Sequence, residues 1–180
     1  MPTPKRTTNE AVVAAARELL EAGGPAALTM QAVAGRVGVR APSLYKRFQD
    51  RDALLAAVAS ATADELGARF EAAAPDLPQL AAVYREFAHR HPEAFRLIFT
   101  ASVAPMALQR SVEPVIRTVA GMVGEDHALD AARLVTAWAT GFLQLEIAGA
   151  FRLGGDIDAA FEYGLRTLIA GLVAGSVRER

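Results

Sequence analysis

Leu28-Thr29-Met30-Gln31-Ala32-Val33-Ala34-Gly35-Arg36-Val37-Gly38-Val39-Arg40-Ala41-Pro42-Ser43-Leu44-Tyr45-Lys46-Arg47-Phe48 is the stretch whose reading decides the fold. Thr29 is a natural N-cap, and Leu28 and Val33 have the offsets of a hydrophobic staple around it. The helix they open is short, because Gly38 arrives after two turns. Pro42 then sits where a first helical residue tolerates proline, so another helix runs from about Pro42 to Phe48. Leu44 and Phe48, four apart, form its inward face. Arg40, Ser43, Lys46 and Arg47 are left outside, with Tyr45 at the boundary. Two short helices around a Val37-Gly38-Val39 turn are the layout of a helix-turn-helix.

Outward from this stretch the pattern stays helical. Upstream, Thr7 and Glu10 have the spacing of a capping box, and Val12, Val13, Ala16, Leu19 and Leu20 recur on one face until Gly23-Gly24-Pro25. Downstream, Asp50 can cap a fourth, longer helix carrying Leu54, Leu55, Val58 and Leu66. Pro75 and Pro78 mark a break, Pro92 starts another helix, and Pro105 and Pro114 predict an irregular middle. A long helix is expected from about Ala128 to Leu153, stopped by Gly154-Gly155. Asp156 caps the last one, with Phe161, Leu165, Leu168 and Leu172 as its stripe. Gly164, Gly171 and Gly175 on it point to a close approach by another helix, since glycine costs a helix about 1 kcal/mol against alanine. The expected fold is all-α: a three-helix helix-turn-helix domain over residues 1–51, then a helical bundle over residues 52–180.

Alanine supplies much of the 52% hydrophobic content, which favours helix. There is no cysteine, which excludes disulfides and thiolate-bound zinc and fits a reducing compartment. The uncharged runs Leu97 to Gln109 and Leu134 to Leu145 fall short of the roughly twenty residues a membrane span needs. A cytoplasmic protein with no membrane association is expected. The net charge of −1 hides an asymmetry: eight basic residues face four acidic ones up to Arg51, so this part carries +4 and the remainder −5. Such a split points to a nucleic-acid-facing end on a body with another task.

The helix-turn-helix holds the chemistry DNA recognition needs. Its second helix is short enough to enter a major groove N-terminus first, exposed residues meeting base edges. Lys46, Arg47 and Arg51 are placed for phosphates, and Thr29 opens a helix whose first amides can bind one.

The stretch Leu28 to Ala34, the turn Val37-Gly38-Val39, the run Ala41 to Phe48 and Arg51-Asp52-Ala53-Leu54-Leu55 together closely resemble the DNA-binding domain of the TetR (tetracycline-repressor-like) family. The resemblance covers about the first third of the chain. It implies that Leu44 and Tyr45 lie on the recognition helix with the tyrosine on a phosphate, that Arg51 is a basic phosphate contact, and that Ala41, Pro42 and Ser43 face bases. More loosely, Gly141-Phe142-Leu143-Gln144-Leu145-Glu146 with Gly149-Ala150-Phe151 resembles the signature helix of one ligand-domain subgroup, Thr140 standing where that subgroup has histidine.

The resemblance implies a transcription regulator, a repressor by family default, that dimerises on palindromic operator DNA and answers to a small ligand. Trp138, Phe142, Phe95, Phe99 and Met106 are the candidate ligand contacts, with Thr140 as a polar one; scarce charge around Trp138 points to an apolar or amphipathic effector. No cofactor and no metal is expected. His89 and His91, two apart on a helix, point in different directions, and no phosphate loop, nucleophile elbow or histidine-glutamate metal motif accompanies them, so an enzyme is disfavoured. The alternative carried forward is a ligand-independent DNA binder, or an activator, of the same fold.

Overall fold

Nine helices and no strand make up the described residues, 7–178, of the computed structural model. The first, α1 (Asn9–Ala27), begins one residue later than the capping-box spacing predicts. Thr8 is the N-cap, its hydroxyl accepting from the Ala11 N–H at 3.2 Å, whereas the Thr7 hydroxyl donates to the Val37 carbonyl at 3.5 Å. The helical backbone breaks at Gly23 and Gly24, as the Gly-Gly-Pro signal predicts, and Pro25 to Ala27 add a last turn. Next, α2 (Met30–Arg36) is capped by Thr29, whose hydroxyl accepts from Ala32 N–H at 3.1 Å. Leu28 and Val33 are wholly buried beside it.

The helix α3 (Ala41–Tyr45) ends three residues before the expected Phe48. The Leu44 carbonyl accepts from both Arg47 and Phe48 N–H, at 2.8 and 2.9 Å, which tightens the turn and still buries the Phe48 ring. Asp50 caps α4 (Arg51–Ala73) through Ala53 N–H at 2.7 Å.

Then come α5 (Leu77–Arg90), α6 (Pro92–Thr100) and α7 (Pro105–Val123). The irregular middle expected from Pro105 and Pro114 is instead one helix. Pro105 occupies a first position, where its missing N–H costs nothing, and Pro114 is carried inside. The long helix α8 (Glu125–Ile147) stops well short of Leu153. Gly149, at φ +63°, ends it: Ala150 N–H returns to the Leu145 carbonyl and Gly149 N–H to that of Glu146, each at 2.9 Å. This double closure satisfies the terminal carbonyls before Gly154 is reached. Asp156 caps α9 (Ile157–Arg178) through the N–H groups of Asp158 and Ala159.

The chain forms two compact units: Met1–Asp64 with His91–Leu108, and Glu65–Arg90 with Gln109–Arg180. The boundary expected after residue 51 falls at the start of α4, whose first half packs with the recognition helices. The first unit's core joins Val12, Ala16 and Leu20 of α1 to Val33, Leu44, Phe48, Leu54 and Val58, and α6 adds Ala94 and Leu97. The Glu21 carboxylate accepts from Ala94 N–H at 2.9 Å and Glu93 N–H at 3.2 Å, capping α6 from α1.

In the second unit α8 packs against α5 and α9. Tyr84 and Thr140 join their hydroxyls at 2.8 Å across the α5–α8 contact. Trp138, Phe142, Phe151 and Phe161 form one aromatic cluster, Trp138 stacked on Phe161 at 5.2 Å. The close approach expected at Gly164 is made by α8 of the same chain: a Cβ there would lie 2.4 Å from Trp138 Cζ2. Gly171 and Gly175 face open space.

Candidate nucleic-acid interface

The turn before α3 is set by Gly38. At φ +71° it adopts the left-handed conformation, and Val39 N–H closes onto the Ala34 carbonyl at 2.9 Å. Val37 and Val39 pack onto the core beneath. Arg40 is the N-cap of α3 with extended backbone, and Pro42 lies in its first turn. Leu44 turns inward at 1% exposure, which forces its neighbours out: Tyr45 is 54% exposed, and Pro42, Ser43, Lys46 and Arg47 are exposed with it. Ala41 is half-buried. So α3 presents a small polar hydroxyl, two small apolar groups and a phenol at its tip, flanked by cations.

The cations are not equivalent. The side chains of Arg40 and Lys46 have no hydrogen-bond or ion-pair partner among the described residues, so their charge is available to an anion. Arg47 donates to the Asn9 Oδ1 at 2.9 Å, a neutral acceptor that fixes the side chain, and its charge also acts on the exposed Glu10 carboxylate, helping to lower it. Arg36 is paired with Glu18 at 2.7 Å. Arg51, expected to reach a phosphate, donates through Nε to the Leu28 carbonyl at 2.8 Å and through a terminal nitrogen to the Pro25 carbonyl. These carbonyls lie where α1 gives way to α2, so Arg51 ties α4 to that junction. Thr29 is exposed, and its hydroxyl is already an acceptor within its own helix.

The six residues expected around a ligand divide between the units. Phe95 and Phe99 belong to the first and meet edge to face at 5.4 Å; Phe95 is buried, Phe99 46% exposed, and Met106 62% exposed. Trp138, Thr140 and Phe142 belong to the second, where they serve the aromatic cluster and the Tyr84 hydrogen bond described above. Burial, opposed by the Thr140 hydrogen bond, pushes the Tyr84 phenol up to about 12.

Sequence reasoning did not find a polar group beside that cluster. Arg85 on α5 bonds to Glu146 on α8 and to Asp158 on α9 at 2.6 Å, and its guanidinium lies 4.9 Å over the Phe161 ring. His89 Nε2 is 3.2 Å from Glu146. Burial raises the Glu146 carboxyl, but the hydrogen bonds and charges of Arg85 and His89 outweigh it and hold the group below its ordinary range. Only the i, i+4 relation of Arg85 and His89 was visible in the sequence; their common partner lies far along the chain.

Residues 12–58 match the family described as bacterial regulatory proteins, tetR family, and residues 77–168 match the tetracyclin repressor-like C-terminal domain. Among solved structures, the chain is similar to a TetR variant from Acinetobacter baumannii AYE in complex with minocycline. That pair shares 29% identity and a TM-score of 0.74, over 95% of this chain and 99% of that one. BioQ of Mycobacterium smegmatis is similar at 28% identity and a TM-score of 0.71, over 94% and 99% of the two chains. Apo ActR from Streptomyces coelicolor shares the fold over the whole of both chains, at 21% identity and a TM-score of 0.76. No curated protein matches the chain. With both family domains matched in order, and the recognition helix presented as such a domain requires, the chain belongs to the TetR family of bacterial regulatory proteins and is a DNA-binding transcription regulator, not an enzyme.

Proposed function

We propose that this regulator is a homodimeric repressor that binds a palindromic operator and leaves it when a small, mostly apolar ligand occupies its C-terminal unit. The observation that carries the DNA half is the outward face of α3. Leu44 and Phe48 anchor the helix, so Ala41, Pro42 and Ser43 meet base edges while Tyr45, Arg40, Lys46 and Arg47 meet phosphates. Short contacts from small side chains give modest discrimination per half-site. Two half-sites about 34–36 Å apart, read by two copies, supply the rest.

The ligand half rests on the second unit, where the aromatic cluster offers apolar surface and little charge on α8 beside Trp138. The contacts are then Trp138 and Phe142 for apolar area, with Thr140 as an orienting hydroxyl. Repression and release require the ligand to bind the released state better than the DNA-bound one.

Selection of genomic DNA fragments by the purified protein, followed by operator release with a panel of hydrophobic compounds, tests both halves. A few short palindromic sites and release by apolar compounds are expected. Equal retention of all fragments overturns the operator reading. Release only by a highly charged metabolite overturns the apolar-effector reading.

A further inference from the structure

Two long-range hydrogen bonds leave the head of α1 and reach the two ends of the recognition segment. The Thr7 hydroxyl donates to the Val37 carbonyl, before α3, at 3.5 Å, and the Asn9 Oδ1 accepts from Arg47 Nη1, after α3, at 2.9 Å. Helix α3 ends at Tyr45, so Arg47 lies beyond its last turn, with its own N–H returned to the Leu44 carbonyl. Its side chain is directed from α1. The side chains of Arg40 and Lys46 have no such bond among the described residues, so of these three outward cations Arg47 alone is held in place. Asn9 and Arg47 are both exposed, and their bond is no part of the core.

The chemistry of the holder matters. A carboxylate at position 9 would fix a guanidinium as well, but it would put a negative charge where a phosphate is to come. The amide oxygen fixes the guanidinium and adds no charge. Glu10, the next residue, serves the helix head: its carboxyl lies below the ordinary range chiefly through its own N–H and the Thr8 hydroxyl, with Arg47 contributing least. A guanidinium carries five N–H donors, so the bond to Asn9 leaves others for a phosphate oxygen. We infer that Asn9 is a positioning residue for DNA binding: it holds Arg47 ready for a phosphate and so removes rotamer freedom that binding would otherwise cost. This rests on the reading that Arg47 contacts a phosphate, and it names the α1 side chain that sets the strength of that contact.

The test is binding of the full chain to a mixed-sequence duplex of about 30 base pairs, long enough for two half-sites one helical turn apart, across a range of salt concentrations. No operator need be known. Arg47→Ala is expected to weaken binding and to reduce the salt slope by about one counterion per subunit. Asn9→Ala should weaken binding about tenfold for two subunits together and leave the slope unchanged, because the charge stays and only its ordering is lost. Asn9→Asp should weaken binding and reduce the slope as well. Its thermal unfolding midpoint should nonetheless stay at or above the native one, since a carboxylate suits the first turn of a helix. In the Arg47→Ala background, Asn9→Ala should have no further effect.

Unchanged affinity and slope in Arg47→Ala would overturn the phosphate reading of Arg47, and the proposal with it. A weakened Arg47→Ala beside an unchanged Asn9→Ala, or an Asn9→Asp chain with the native slope, would overturn the positioning role alone. So would an Asn9→Ala effect that persists in full in the Arg47→Ala background, because Asn9 would then meet the DNA itself. An Asn9→Ala chain with a lowered unfolding midpoint and less helix would also overturn it, since α1 as a whole would be what has loosened.

Discussion

Arg51 carries a structural contact at a position also expected to reach a phosphate. Its position at the head of α4 is where the family resemblance implies a phosphate contact, yet two of its nitrogens are committed to the carbonyls of Leu28 and Pro25. Hydrogen bonds from a charged donor contribute about 1.5–3 kcal/mol when buried, and the side chain here is 40% exposed, so the lower end applies. Arg51→Ala is therefore expected to lower unfolding free energy by about 1–2 kcal/mol while changing the salt dependence of operator binding little. Lys46→Ala should do the reverse, leaving stability intact and reducing the salt slope by about one counterion per subunit. Denaturant unfolding and operator affinity across salt concentrations separate the two. Equal slopes lost in both variants would return Arg51 to the phosphate.

Glu146 makes a second prediction at the same scale. Its folded carboxyl lies below its value of 4.5 in the unfolded chain, so its contribution is fully present above that pH and lost as pH falls through the folded value. Glu146→Gln should cost about 1–3 kcal/mol at pH 7, and the gap from the native chain should narrow steadily below pH 4.5. A gap that stays constant down to pH 3.5, read by denaturant unfolding, would mean the charge is not what stabilises the contact.

At the scale of elements, α9 separates crowding from intrinsic helix cost. A methyl at Gly164 would strike Trp138, itself held by Phe161 and Phe142, so Gly164→Ala should destabilise by about 1–3 kcal/mol and shift Trp138 emission. Gly171 has open space, and Gly171→Ala should gain up to about 1 kcal/mol from helix propensity alone. Thermal unfolding of the pair reads both signs. The existence and order of the helices were legible because glycine, proline and small polar caps punctuate this chain strongly: Thr29, Asp50, Pro92 and Asp156 each begin the helix expected of them. The failures have a common cause. Phe151 and Leu153 continue the apolar spacing past Ile147, so periodicity could not see that Gly149 had already closed the helix. The α6 cap from Glu21, the carbonyl clamp of Arg51 and the Arg85–Glu146–Asp158 group all depend on partners far away in sequence. A pattern read within one turn or two carries no trace of them. The α3 face was legible because Leu44 and Phe48 fix it locally; which cations stay uncommitted was not.

For the whole molecule, the remaining expectation is the dimer. Leu134 and Leu145 on α8 are 49% and 50% exposed, and Tyr163 on α9 is 66% exposed. Leu134, Gly141 and Leu145 recur at helical spacing, which places them on one face of α8, away from the buried Val135, Ala139 and Leu143. An apolar stripe left outside a unit that has already buried Phe161 and Leu165 is best satisfied by the same stripe on a second copy, which gives a closed twofold interface. Sedimentation at micromolar concentration should give twice the 19.0 kDa chain mass. Leu145→Glu should shift it to the monomer, because a charge at the seam faces its own symmetry mate. Its affinity for a palindromic site should then fall by on the order of 10² or more, since each half-site must be bound alone. The helix content should not change. A Leu145→Glu chain that stays dimeric would move the seam off α8, and a native chain that sediments as a monomer while binding a palindrome tightly would remove the twofold mechanism altogether.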